Sequence, residues 1–200
     1  AVKCKLTPAE YGKRHMPELR QELLKNDLYL IGCKNQDDAD LARSASVTAS
    51  SERAGFEARN VISGVTRNVD EQSHMWQSIP LGPDGEWVLL TLAQVFPIAQ
   101  VRIVFDPDLS EERCISVFKA FMEKEPRGVA KTLVRDYTVE FLRGSAVIAC
   151  RRVCANHQRL NVVDLEQPVN ADAVRITVHS TNGCPDARVF EVRIYGSGDA

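Results

Sequence analysis

The chain has 200 residues, 44% of them hydrophobic, and a formal net charge of −2. That length suits one ordinary domain plus an appendage, with a core large enough to stand without covalent staples. The 25 Lys and Arg are mixed among 27 Asp and Glu, so no basic face is set aside for nucleic acid, and no apolar run approaches the length that crosses a membrane.

The chain opens on helix signals. Thr7-Pro8-Ala9-Glu10 combines an N-cap, a proline at the first helical position and a glutamate that closes a capping box. A second start at Pro17-Glu18 leads into an apolar stripe of Leu19, Leu23 and Leu24 that runs to Asp27. Residues 1–32 are therefore expected to form a short helical arm, either the tail end of a preceding region or a helix packed on the domain that follows. Cys33 to Asp40 is polar and acidic and is expected to be a linker over 33–40. The β-domain is expected over 41–200.

Within that domain the first short strand centres on Ser46 to Ala49. Glu86 to Leu92 is apolar on both faces and is predicted to be a central strand, closed by a turn at Pro97. Val101, Ile103 and Phe105 alternate with Arg102 and Val104 as the next strand. From Leu109 to Val134 the alternation fails in a long charged connection, a length that marks a functional, interfacial or mobile segment. Asp106, Asp108, Glu111 and Glu112 cluster at its start and are expected to be solvated rather than catalytic.

Strands resume over Tyr137 to Phe141, turn at Arg143-Gly144-Ser145, and return over Ala146 to Val153. Leu160 to Leu165 is the next strand and Gln167 to Ala171 the next loop. The clearest element is the last. Val174, Ile176 and Val178 point one way and Arg175, Thr177 and His179 the other, before a turn through Asn182-Gly183 and Pro185-Asp186 and a second run around Phe190, Val192 and Ile194. About eight short strands with turns every ten residues predict an all-β, antiparallel sandwich of jelly-roll topology.

Chemistry-bearing motifs are scarce. The six cysteines show no Cys-x-x-Cys spacing, and Cys150 and Cys154, in an extended run, sit about 13 Å apart, too far to share a metal or a disulfide. Isolated reduced thiols favour a reducing, cytoplasmic compartment, while secretion of a longer parent stays open. There is no Gly-x-Ser-x-Gly elbow, phosphate loop, His-Glu-x-x-His or Gly-x-Gly-x-x-Gly fingerprint. No catalytic residue is expected, and no cofactor is expected within these residues.

Four stretches carry a resemblance: Val47 to Ser51, Ala58 to Gly64, Met75 to Ser78 with Glu86 to Leu90, and Phe190 to Gly196. Together they resemble a discoidin-like, galactose-binding-type jelly roll. A narrower likeness lies in Val134 to Glu140, Asn156 to Arg159 and Thr181 to Tyr195, with the arm at Thr7 to Asp27. These resemble the C-terminal region and helical junction of bacterial FAD-dependent oxidoreductases.

That resemblance implies a non-catalytic accessory domain whose partner is the FAD-binding part of the parent chain or a neighbouring subunit, with the flavin held outside these residues. The alternative it implies is a carbohydrate-binding module that uses the loops at one end of the sandwich. Candidate ligand residues there are Asn156, His157, Arg159, Asn182, Asp186 and Arg188, because Arg and Asp can bond vicinal hydroxyls in a fork while Asn and His fix orientation. The competing reading has the same Asn, Asp and Arg bracing the turns. Trp76 and Trp87 could stack on sugars, but both are expected in the core. Related domains hold a structural Ca²⁺ between the Asn-x-Ile-Asp-Gly turn and a glutamate of the last strand. Here Ser63 stands where the acid would be, so no metal is expected despite Glu191.

Overall fold

The computed structural model describes residues 34–68, 72–109 and 128–198. The chain divides into two compact units, Ala1–Lys34 and Asn35–Ala200. The arm predicted over 1–32, with its capping box and leucine stripe, lies outside the described residues. So do Glu111, Glu112 and most of the connection between Leu109 and Val134.

Seven strands build the second unit: β1 (Ser46–Ala49), β2 (Trp76–Pro80), β3 (Glu86–Phe105), β4 (Val134–Arg143), β5 (Ala146–Val153), β6 (Leu160–Thr181) and β7 (Asp186–Gly196). Every ladder is antiparallel. β3 and β6 are long enough to belong to both layers. Their first pairing joins Glu86–Thr91 to Ala173–Val178; the register then breaks, and Phe96–Val104 pairs with Leu160–Ala171. One layer is therefore β1, the first half of β3, the second half of β6, β4 and β5. The other is β2, β7, the second half of β3 and the first half of β6. This is an antiparallel jelly-roll β-sandwich.

Two expected breaks are absent. Pro97 does not end a strand, and Gln167 to Ala171 is not a loop; Pro97 pairs with Asn170 inside the β3–β6 ladder. Both prolines, Pro97 and Pro168, sit exposed where the two strands bend from one layer to the other. A missing N–H is tolerated at such an irregularity, where the ladder has already lost its regular bonds. The predicted hairpin turn at Arg143-Gly144-Ser145 is present, with Gly144 at φ 61°.

Alternate residues fill the space between the layers. Val88, Leu90, Val139, Phe141, Ile176 and Val178 face Ile103, Phe105, Val192 and Ile194, all fully buried. Each such side chain contributes about 1.5–3 kcal/mol by leaving water. Phe105 meets Tyr137 edge to face, with ring centroids 5.1 Å apart. A bulge adds one residue to β7: Val104 opposes Glu191 but Phe105 opposes Val189. The extra residue, Phe190, packs on the outside with Val104, Met75 and Phe56.

Residues 35–40, expected as linker, are fastened to the sandwich. The Asn35 amide donates to the Gly64 carbonyl at 2.6 Å, the Tyr195 hydroxyl to Asp37 at 2.9 Å, and the Ile194 amide to Asp40 Oδ1 at 3.0 Å. Asp40 accepts from sandwich backbone and Asp37 from a sandwich hydroxyl, which composition alone does not reveal. Gly64 is required there: its φ is +78°, and a Cβ would press on the Asn35 backbone.

Candidate functional site

Because β3 and β6 each run down one layer and return up the other, both ends of both strands lie at one end of the sandwich. Four connections gather there: 81–85, 154–159, 182–185, and the two described ends of the β3–β4 connection, 106–109 and 128–133. Residues 35–40 and the end of β7 lie toward the opposite end, where Gly196 closes β7 beside Ile98.

All six predicted site residues are at this loop end, but they divide by task. Asn156 and Asn182 hold backbone. The Asn156 side-chain amide is buried and donates to the carbonyls of Val134 at 2.7 Å and Gln158 at 3.1 Å, and its Oδ1 accepts from the Gln158 amide at 2.9 Å. Asn182 donates to Leu133 and Asn156 carbonyls at 3.0 and 3.2 Å. Both are spent on stapling three turns together.

Asp186 and Arg188 form a second brace. Asp186 is buried and accepts from Gln77 at 2.7 Å, from Arg188 Nε at 2.8 Å and from the Cys184 thiol at 3.3 Å. Arg188 reaches on to Asp106 at 3.4 Å. Burial works to raise the Asp186 pKa, but these donors outweigh it and hold the carboxyl below its ordinary range. Burial wins at Asp106, whose pKa is raised. Asp106 is thus not the solvated loop acid expected. It is 4% exposed, and its cation arrives from β7, 82 positions away.

His157 and Arg159 are the two that face open space. They border a hollow of about 610 Å³ whose apolar wall includes Pro107, Leu109, Val129 and Leu133. Arg159 is half-buried, donates to the Thr66 carbonyl, and keeps its Nε without a hydrogen-bond partner. Burial pushes its pKa below the usual guanidinium range, although it stays cationic near neutrality. Asp108, expected from the sequence as one of a cluster of solvated acids, completes the rim. It holds φ at 60°, and Ala155, two residues before His157, holds 54°; these are the two described non-glycine residues with positive φ. Strained backbone of that kind collects at binding loops. No composition signal marks it, since Asp after Pro reads simply as a turn.

The hollow therefore offers one carboxylate acceptor, one imidazole and one guanidinium beside an aliphatic wall. That set suits a small polyol with an apolar face, which needs both acceptors and donors at fixed positions. Among the described residues that line it, no nucleophile is paired with a base, as acyl or glycosyl transfer would require.

Trp76 is fully buried, its indole N–H bonded to the Ser51 carbonyl at 2.9 Å. Trp87 is only half-buried, because β3 turns Val88 inward and Trp87 outward. At the Asn60-Val-Ile-Ser-Gly64 turn, Ser63 Oγ accepts from the Val65 amide. Glu191 is clasped by Arg193 at 2.7–2.8 Å, leaving one buried oxygen without a partner. One free oxygen falls short of the several a Ca²⁺ demands, and among the described residues no three acid, His or Cys side chains converge. The residues present do not fit that ion. Cys150, Cys154 and Cys184 are free thiols.

No protein-family model matches the chain, and no curated protein matches it. Solved structures do. The lectin domain of lectinolysin complexed with Lewis B antigen superposes with a TM-score of 0.61 at 16% identity, covering 81% of this chain and 99% of that one. A fucose binding module of Streptococcus pneumoniae gives 0.60 at 12% identity, covering 82% and 99%. The family 32 carbohydrate-binding module of C. perfringens NanJ, in complex with galactose, gives 0.55 at 16%, covering 78% and 98%. The shared feature is the galactose-binding-like β-sandwich. At these identities the likeness is one of fold.

Proposed function

We propose that this domain binds carbohydrate, taking a sugar into the loop-end hollow against Leu109, Val129 and Leu133, with Asp108, His157 and Arg159 bonding its hydroxyls. The observation that carries this reading is the hollow itself: an aliphatic wall beside one acceptor and two donors, at the end of the sandwich away from the end of β7. That the fold recurs in modules whose structures hold Lewis antigen or galactose supports it. The sequence features that resemble FAD-dependent oxidoreductases support a further proposal, that the domain is an accessory part of such an enzyme. Flavin and redox chemistry would then lie in other residues, and the domain would dock the catalytic part onto a glycan or onto its own neighbour. The unpaired thiols favour a cytoplasmic setting for such a parent.

The test is calorimetric titration and a melting-temperature shift with a panel of mono- and oligosaccharides. A saturable response is expected, with a Kd between about 1 mM and 1 µM, and Asp108→Asn or His157→Ala should weaken it while leaving the far-ultraviolet circular dichroism unchanged. A response that survives both substitutions would move the site elsewhere. A flat response across the panel would return the domain to the packing role.

A further inference from the structure

The outer face of the β1–β3–β6–β4–β5 layer carries a row of side chains that the loop-end site does not use. Trp87 on β3 is the direct cross-strand partner of Thr177 on β6, Thr177 of Thr138 on β4, and Thr138 of Arg152 on β5. Direct partners share a face, so the four form one line perpendicular to the strands, with about 4.8 Å between neighbours. The face is outward, because Val88, Val139, Ile176 and Val178 beside them point into the core. Trp87, Thr177 and Thr138 are half-buried and Arg152 is exposed.

The polar groups along this line are unevenly satisfied. Thr138 Oγ1 is bonded to His179 Nε2 at 2.8 Å, and in the row below, Arg175 pairs with Glu140 at 2.6 Å. The Trp87 indole and the Thr177 hydroxyl are half-buried on this face, and the exposed Arg152 guanidinium feels the charge of Asp136 on the neighbouring strand. The line thus offers an aromatic face, two donors and a hydroxyl able to donate or accept, spaced one per strand, between pairs that are already closed. A sheet keeps such a row straight and rigid, as a loop cannot.

We infer that this row is a second carbohydrate site, distinct from the hollow, which takes an unbranched glycan chain lying across the strands. The pyranose nearest β3 stacks on Trp87. The next units bond Thr177 and the exposed guanidinium of Arg152, so a chain of at least three units is needed and a monosaccharide binds poorly. An unbranched neutral chain matches a narrow line on a flat face. A branched antigen needs walls on several sides, and this row has none.

The chain contains two tryptophans, and Trp76 is fully buried. Collisional quenching of tryptophan emission by acrylamide therefore reports Trp87. The full chain would be titrated with galactose and with hexasaccharides of β-1,4-linked glucose, xylose and N-acetylglucosamine. At least one hexasaccharide is expected to shield Trp87 from quenching, whereas galactose does not. Thr177→Val with Arg152→Gln should weaken that shielding about tenfold, corresponding to about 1.4 kcal/mol. Asp108→Asn with His157→Ala, which alters only the hollow, should leave it intact. No shielding by any hexasaccharide at about 10 mM overturns the inference. So does shielding that is lost in the hollow variant and kept in the row variant. Loss of galactose binding in the hollow variant bears on the hollow alone.

Discussion

Replacing Arg188 by alanine tests whether this residue touches ligand or holds up the site. Its Nε lies 2.8 Å from Asp186 and its Nη1 3.4 Å from Asp106. Both acid side chains are 6% exposed, the arginine 22%. Removing the cation leaves two carboxylates nearly out of water, with Gln77, Cys184, one backbone amide and the more distant charge of Arg159 for relief. Breaking a buried pair by deleting one partner costs about 3–5 kcal/mol, and discounting for the partly exposed guanidinium leaves about 2–4. For a domain of this size that is a fall of roughly 5–15 °C in melting temperature. Urea denaturation of Arg188→Ala should show the loss in the midpoint at unchanged slope. Adding Asp106→Asn and Asp186→Asn should recover part of it, since the stranded charges are then gone. A loss under about 0.5 kcal/mol would place Arg188 among ordinary surface ion pairs and sink the bracing argument. Lost sugar binding in Arg188→Ala is therefore informative only beside its stability.

Two further perturbations address the same end of the sandwich. Gly85 holds φ at +80°, and a Cβ there would strike the Val178 carbonyl, so Gly85→Ala should destabilise by more than about 1 kcal/mol; an unchanged urea midpoint would contradict the turn geometry. Asp186 has a folded pKa below its ordinary 3.8, so its contribution is present above the unfolded value and lost as pH falls through the folded one. The stability difference between the wild type and Asp186→Asn should stay level from about pH 7 to 5 and shrink below about pH 4. A gap that widens on acidification would mean that burial, not the donors, dominates at Asp186.

The strands with one wet face were legible from period two alone: Val174, Ile176 and Val178 are all buried, as their alternation requires. The sheet-switching strands were not. Alternation persists on both sides of the bends in β3 and β6, and Pro97 and Pro168 carry the same signal whether they end a strand or merely mark where a ladder breaks. The six candidate residues share one end of the sandwich because turns of a jelly roll collect there by topology. Their tasks were hidden, since a stapling Asn156 and an exposed His157 differ only in what surrounds them. Asp106 looked solvated because its partner Arg188 is remote in sequence, and Asp108 was read with it as one more solvated acid of the same cluster.

Trp87 shows where the limit lies physically. Glu86 to Leu92 is apolar at both parities, so the sequence offers no reason to prefer Val88 and Leu90 as the core pair over Trp87 and Leu89. The choice is made by cross-strand partners. Val88 opposes Ile176 and Leu90 opposes Val174, both fully buried, whereas Trp87 opposes Thr177 and Leu89 opposes Arg175. A hydroxyl and a guanidinium cannot be turned into the core without losing water that nothing there replaces, so the polar parity of β6 fixes the parity of β3. The tryptophan is left on the outer face as a consequence of its neighbour's chemistry. An aromatic held there beside exposed polar groups is a surface that the fold alone does not require.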